Sequence, residues 1–272
     1  TGCVGVTAPV ITLTGSSAVI VGWEISTDQT TWTSIGFAGS SAISADNSLV
    51  GDRWYRAEVR DLLNVCSHVK SNMVKITIAP VPTATLTGSA TICAGSSTVL
   101  TAAFTNTIAS SVYEISDDNG ATWTTVTGTT YTVTPSTTRN YFVRITNSPC
   151  ATVTSAPAVT VTVSPAPVAG TVTANTPSAC STGTMPVLTL TGNSGNIIDW
   201  EISTDQTTWT SLGVTTSSIN ASNITGDRWY RAVVRDALAA CTAVRSNAVK
   251  ITIAANPTAT LTGSATICAG TS

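Results

Sequence analysis

The sequence predicts an all-β chain built from tandem β-sandwich modules. Three observations carry this expectation. Threonine supplies 53 of the 272 residues, and its branched Cβ favours strands over helix interiors. Long segments recur at fixed offsets. Short alternating runs are broken at regular intervals by turn residues, the pattern of a sandwich rather than of a helical or α/β protein.

The repeats set the modules. Trp23 through Trp32 recurs unchanged as Trp200 through Trp209. Gly51 through Ala57 recurs as Gly226 through Ala232, and Pro82 through Cys93 as Pro257 through Cys268. The offset falls from 177 to 175 between the first two blocks, so a loop is shortened there. A diverged copy lies between: Val112 to Ser116 matches Gly22 to Ser26, and Arg139 to Ile145 matches the segment from Arg53. The expected order is module A over 1–80, lacking its first strand, module B over 81–165, a second A over 166–255, and the start of another B over 256–272. The chain thus reads as a window on a longer polypeptide, with any export signal outside it.

The cysteines follow the same division. Each module has one near its start and one near its end: Cys3 and Cys66, Cys93 and Cys150, Cys180 and Cys241. Two per module at a repeated spacing predict a disulfide framework and an oxidising compartment. The expected bonds are Cys3–Cys66, Cys93–Cys150 and Cys180–Cys241, each stapling one end of one sandwich, with the partner of Cys268 beyond Ser272. Zinc would need clustered CxxC pairs or histidines, and neither is present.

Within B, strands are expected at Thr83–Thr87, Thr98–Phe104, Ser111–Ser116, Thr122–Val126, Thr130–Thr134, Arg139–Thr146 and Ala158–Val163. Asp117-Asp118-Asn119-Gly120 supplies a tight turn, because Asn-Gly tolerates positive φ. Seven strands in about 85 residues is immunoglobulin-like arithmetic. Alternation points Tyr55, Ala57, Val59, Tyr141, Val143 and Ile145 inward, with Val74, Ile76, Ile78, Val159, Val161 and Val163 on the last strands. Trp23, Tyr113 and Trp200 are the expected core aromatics. Glu24, Glu114 and Glu201 should face outward, opposite Arg56, Arg144 and Arg231.

Composition excludes whole classes of function. Charged residues make up 10% of the chain, with 12 Lys and Arg against 14 Asp and Glu. That leaves no basic surface for nucleic acid. No apolar run reaches the roughly 18 residues of a membrane helix. His68 is the only histidine, and its counterpart in the second A is Ala243, so it reads as a loop residue. No paired carboxylates, Ser/His/Asp set or phosphate loop stands out. The expectation is therefore no catalytic residues, no metal and no cofactor.

Two local features invite a site. Ser116 to Trp123 fits the Asp-box pattern S-x-D-x-G-x-T-W, and the A modules carry a shorter form, Ser26 to Trp32, without the glycine. It reads as a structural hairpin. Asp117 and Asp118 lack the further oxygen ligands that a calcium loop needs. Trp54 and Trp229 fall on the outer face beside Arg56 and Arg231. That surface could stack on a sugar ring, or the rings could simply pack against arginine.

The segments ATICAGSSTVLTA, WEISTDQTTWTSIG and DRWYRAEVRD, joined by the link APVPTATLTG, resemble the immunoglobulin-like repeats of giant cell-surface adhesins. The nearest such family is the gliding-motility adhesins of the SprB type, exported by type IX secretion, and the resemblance covers the whole chain. It implies an extracellular, cell-surface stalk or filament that projects a binding tip. Its partners would be neighbouring repeats and, elsewhere in the polypeptide, surface glycans or proteins. Prolines in the links (Pro80, Pro82, Pro165, Pro167, Pro257) limit bending, so the modules are expected end to end, each adding on the order of 40 Å. The alternative is a multivalent carbohydrate- or protein-binding module anchored by the exposed tryptophans.

Overall fold

The structure is a computed structural model that describes residues 1–221, 224–263 and 269. Every regular element among them is a β-strand. Cys268, with residues 264–267 and 270–272 of the expected second B start, lies outside the described residues. The chain groups into two compact units. One comprises Thr1–Ala90, Ser97–Thr134 and Thr138–Val161, the other Thr91–Ser96, Pro135–Thr137 and Thr162–Ser272.

The first repeat contains β1 (Gly2–Cys3), β2 (Val10–Thr12), β3 (Val19–Ser26), β4 (Thr33–Gly36), β5 (Ala42–Ser44), β6 (Gly51–Arg60), β7 (Val69–Lys70) and β8 (Val74–Ala79). One sheet runs β1-β8-β6-β3-β4, with β7 beside β6, and β2 pairs with β5 to form the other. Their facing sides bury Ile11, Trp23, Ile43, Tyr55, Ala57, Ile76 and Ile78. Trp23 keeps its polar edge satisfied by donating Nε1–H to Ser40 O at 3.0 Å, as a buried indole requires.

The middle repeat contains β9 (Thr83–Thr87), β10 (Ala90–Cys93), β11 (Thr98–Thr105), β12 (Val112–Ser116), β13 (Thr124–Thr125), β14 (Thr130–Val133), β15 (Arg139–Thr146), β16 (Val153–Thr154) and β17 (Val159–Ser164). The sheets are β10-β17-β15-β12-β13, with β16 beside β15, and β14-β11-β9. All seven expected strands are present. Leu100, Val143, Ile145 and Val161 are fully buried. Each such aliphatic side chain contributes about 1.5–3 kcal/mol of apolar burial.

The third repeat contains β18 (Thr171–Ala174), β19 (Ser178–Cys180), β20 (Val187–Thr191), β21 (Asn196–Ser203), β22 (Trp209–Ser211), β23 (Ser218–Asn220), β24 (Arg228–Arg235), β25 (Val244–Arg245) and β26 (Val249–Ala254). The sheets are β19-β26-β24-β21-β22, with β25 beside β24, and β18-β20-β23. Trp200, Tyr230, Leu188 and Ile251 centre its core. The chain is thus all-β, a tandem array of immunoglobulin-like sandwiches.

Four side-chain expectations need correction. Val59, expected inward, is half-buried near the end of β6, where it lines a surface groove. Tyr113 is only half-buried: its ring leans on that of Phe104, centroids 4.7 Å apart, and Phe104 is itself half-buried. Val74 is 38% exposed, since it opens β8 where that strand's pairing with β6 ends at Tyr55. Val163 is half-buried, and the next residue, Ser164, is buried instead.

The strands that hold the start cysteines, β1, β10 and β19, were not expected. Two of them add a short parallel edge to the last strand, with Cys3 opposite Ala79 and Cys180 opposite Ala254. In the middle repeat, the amide of Ala94 donates to Ser164 O at 2.9 Å, just past Cys93.

Candidate functional site

The start strands decide which cysteines can meet. Ile78, one residue before Cys3's neighbour Ala79, pairs with Gly51 at the beginning of β6. Cys66 follows Arg60 at the other end of that ten-residue strand. Ten residues span about 33 Å, so Cys3 and Cys66 sit at opposite ends of their sandwich. A disulfide needs Cα atoms within about 7 Å.

The expected bonds Cys3–Cys66, Cys93–Cys150 and Cys180–Cys241 therefore do not form. The structure contains Cys3–Cys150 and Cys93–Cys241 instead, with Cα separations of 5.0 and 4.8 Å. Each joins the start strand of one repeat to the end loop of the next. Cys66 and Cys180 are exposed free thiols.

The end loops seat on the last strand and link of the preceding repeat. Cys150 Sγ lies 3.9 Å from Ala79 O and 3.5 Å from Pro80 O. Cys241 Sγ lies 3.9 Å from Ser164 O and 3.7 Å from Pro165 O. In the second joint the loop is organised by Asp236. Its carboxylate accepts the hydroxyl of Ser164 at 2.6 Å and the amides of Ala240 and Cys241 at 3.0 and 2.8 Å. Those bonds, the serine's foremost, hold its pKa down at about 2.

The outer faces carry a second arrangement. In every repeat a glutamate, an arginine and the hairpin tryptophan form a stack. Arg56 Nε donates to Glu24 at 2.6 Å while its guanidinium lies 3.8 Å from the Trp32 ring centre. Arg144 does the same with Glu114 and Trp123, and Arg231 with Glu201 and Trp209. Lys70 adds a second donor to Glu24. Burial opposes ionisation there, but the bonds from Lys70 and Arg56 outweigh it and lower the pKa of Glu24.

The cross-strand Glu–Arg pairs were legible from alternation. The arginine's tryptophan was not, because the hairpin that swings Trp32 over the sheet brings together residues far apart in sequence. Trp54 and Trp229, the expected stacking rings, are half-buried. Each takes a lysine rather than an arginine, Lys75 at 5.4 Å and Lys250 at 5.1 Å from the ring centre. Those lysines in turn pair with Asp52 and Asp227 at 2.7 and 2.9 Å.

Each Asp-box hairpin is organised by its own serine and aspartate. Asp118 accepts the Thr122 hydroxyl and amide and the Ser116 hydroxyl, which hold its pKa at about 2. Asp28 accepts the amides of Thr31 and Thr30, and Asp205 those of Thr208 and Thr207. Both sit well below the usual carboxylate range for that reason. In the A repeats Gln29 and Gln206 take φ near +60°, where the middle repeat has Asn119 and Gly120. Asp117 pairs with Arg139 at 3.3 Å. His68 Nδ1 lies 3.0 Å from Glu58. Among the described residues no group of three or more His, Cys, Asp or Glu is placed to hold a metal ion, and no helix is long and apolar enough to cross a membrane.

A family model described as "Domain of unknown function (DUF8696)" matches residues 1–80 and 168–255. The chain belongs to the DUF8696 family. The two DUF8696 stretches each contain one Glu–Arg–Trp stack and one Asp-led cysteine loop. No curated protein matches the chain.

Among solved structures, it is similar to the fibronectin(III)-like modules of Clostridium thermocellum CbhA (17% identity, 62% of this chain and 94% of that one, TM-score 0.34). It is also similar to the chicken CNTN1 FN1–FN3 domains (13% identity, 91% and 94%, TM-score 0.31). A third is a marsupial T cell receptor (11% identity, 82% and 91%, TM-score 0.41).

Proposed function

We propose that the chain is a structural repeat segment of an extracellular adhesin stalk or filament, one that projects a binding tip from a bacterial surface and serves adhesion or gliding motility. The observation that carries this reading is the pair of disulfides between successive repeats. Bonds closed within each repeat would stabilise the sandwiches singly and leave their order unfastened. A stalk needs each repeat fastened to its neighbour, and Cys3–Cys150 and Cys93–Cys241 do that. Structural disulfides form in oxidising, non-cytoplasmic compartments, which agrees with a surface location.

The blocks that the two A repeats share unchanged, such as 23–32 and 200–209, support the same reading, since length rather than a unique pocket is what repetition provides. The outer faces favour it over the sugar-binding alternative. The tryptophans that would stack on a ligand already stack on cations of their own sheet. Immunogold labelling of unpermeabilised cells with an antibody against this chain tests the proposal. Gold is expected on fibres standing off the surface. Label appearing only after permeabilisation would overturn it.

A further inference from the structure

We infer that the Cys66 loop of the first A repeat and the Cys180 edge of the second are the two open halves of the same joint, and that each takes a B-type module of this repeat: Cys66 its start-strand cysteine, Cys180 its end-loop cysteine. The inference stands on the geometry of the joints and holds whether or not the array is a stalk.

The internal repeats supply the comparison. Asp61 to Cys66 is the counterpart of Asp236 to Cys241, and it is already folded the same way. Asp61 accepts the amides of Leu63, Val65 and Cys66, and Asn64 takes positive φ as Ala239 does. What differs is the covering. Asp236 and Cys241 are buried, whereas Cys66 is exposed and Asp61 half-exposed. Leu62, Leu63 and Val65 stand 79–83% exposed, an unusual cluster in a loop of six residues.

Beneath the exposed loop is a groove lined by Ser17, Ala18, Arg60, Asp61, Leu62 and Cys66. The same place in the second A repeat is lined by Ser194, Gly195, Asp236, Ala237 and Leu238, and there Ser164 and Pro165, which end the preceding B repeat, form its other wall together with Pro167 of the link. The occupant of the open groove is read from the filled one: the end of a last strand and its Ser-Pro link.

The other half matches. At the joined edges Ala79 and Ser164 are buried, while at the free edge Cys180 and Ala254 are exposed. Side chains select the type of neighbour. An A-type loop leads with aspartate and finds a hydroxyl only on a B edge, at Ser164, because the A edges present Ala79 and Ala254. A B-type loop, which reaches Cys150 from Asn147 without that aspartate, seats on the alanine edge. Closure joins two thiols in one disulfide and releases two protons and two electrons. A disulfide oxidant such as glutathione disulfide takes them up and leaves as two thiols.

Two extended chains test this. In one, a second copy of residues 81–177 precedes Thr1, recreating the B-to-A link ahead of the first A repeat. In the other, residues 98–165 follow Ser272, completing the B-type sequence begun at Pro257. Each is oxidised in a glutathione buffer and mapped without reduction. The first should yield the tryptic peptide Asp61–Lys70 bonded to the added copy's Cys93, and the second should yield Cys180 bonded to the added copy's Cys150.

A variant of the first with Cys66→Ser and the added Cys93 also changed to serine should still slow hydrogen exchange across 61–66 at least about tenfold. Recovery of Cys66 and Cys180 as free thiols, or their pairing elsewhere, with Cys3–Cys150 and Cys93–Cys241 intact, overturns the inference. So does unchanged exchange in the serine variant. Loss of the two native bonds in both extensions also overturns it, because the open edges would then reject the module they are inferred to accept.

Discussion

Ser164, the last residue of one repeat's final strand, donates its hydroxyl to Asp236 in the end loop of the next, at 2.6 Å and out of solvent. The same carboxylate holds the amide of Cys241, whose sulfur is bonded to Cys93. The carboxylate that anchors the disulfide-bearing loop is therefore tied directly to the edge on which that loop seats. Ser164→Ala removes the donor and leaves a carboxylate oxygen without its strongest partner. The pKa of Asp236 should rise from about 2 toward 3.8, exchange at the Ala240 and Cys241 amides should quicken, and the melting midpoint should fall by a few degrees. An unchanged Asp236 titration by NMR would show that the serine does not govern the loop.

Acid should loosen this joint and the middle hairpin over one window. Asp118 and Asp236 both have folded pKa values of about 2 against 3.8 for the free side chain. A depressed carboxylate contributes stability that is fully present above the unfolded value and is lost as pH falls through the folded one. Amide exchange at Thr122 and Cys241 should be flat from pH 7 to about 4, once corrected for intrinsic rates, and should accelerate between about 4 and 2. Acceleration centred above pH 5 would assign the protection to other groups.

The cores should respond unequally to loss of their aromatic. Trp200 is fully buried and donates Nε1–H to Thr216 O at 2.9 Å, so Trp200→Ala should cost about 3–5 kcal/mol. Tyr113 is half-buried against Phe104, and Tyr113→Ala should cost on the order of 1–2 kcal/mol. Chemical denaturation of the two variants checks the order, and equal costs would mean that the middle repeat also depends on a central aromatic.

At the hairpins, Gln206 holds φ at +61°, a region that side chains with a Cβ occupy at a cost and glycine occupies freely. Gln206→Gly should stabilise the third repeat by about 0.5–1 kcal/mol, the gain being the relief that Gly120 already supplies in the middle repeat. A loss of stability would mean that the glutamine side chain itself contributes.

The strands and their faces were legible because period-two alternation and turn residues are local signals. Tyr55, Ala57, Val143, Ile145 and Val161 are buried as expected. The hairpin role of Ser116 to Trp123 was equally legible, since the side-chain bonds of Ser116 and Asp118 close within it. The disulfide partners were not. Spacing shows that Cys3 and Cys66 bracket one repeat, but which end of the sandwich each occupies depends on β1, a two-residue parallel edge with no periodicity to read. Once Cys3 lies beside Ala79, only the end loop of the following repeat can reach it. Tyr113 was misjudged for a related reason. Its place in the strand was right, but its depth is set by Phe104 on the opposing sheet.

If the two disulfides fasten successive repeats, force along the array passes from repeat to repeat through them, and pulling one oxidised chain by its ends measures that path. With Cys3–Cys150 and Cys93–Cys241 closed, the shortest covalent path runs through residues 1–3, 93–150 and 241–272. The chain should then show one unfolding step, the opening of the 93–150 stretch. That step should lengthen it by somewhat under about 200 Å at roughly 3.3–3.6 Å per residue. After reduction, further steps should extend it toward about 900 Å. An oxidised chain that shows no unfolding step, as bonds closed within each repeat would produce, contradicts the account.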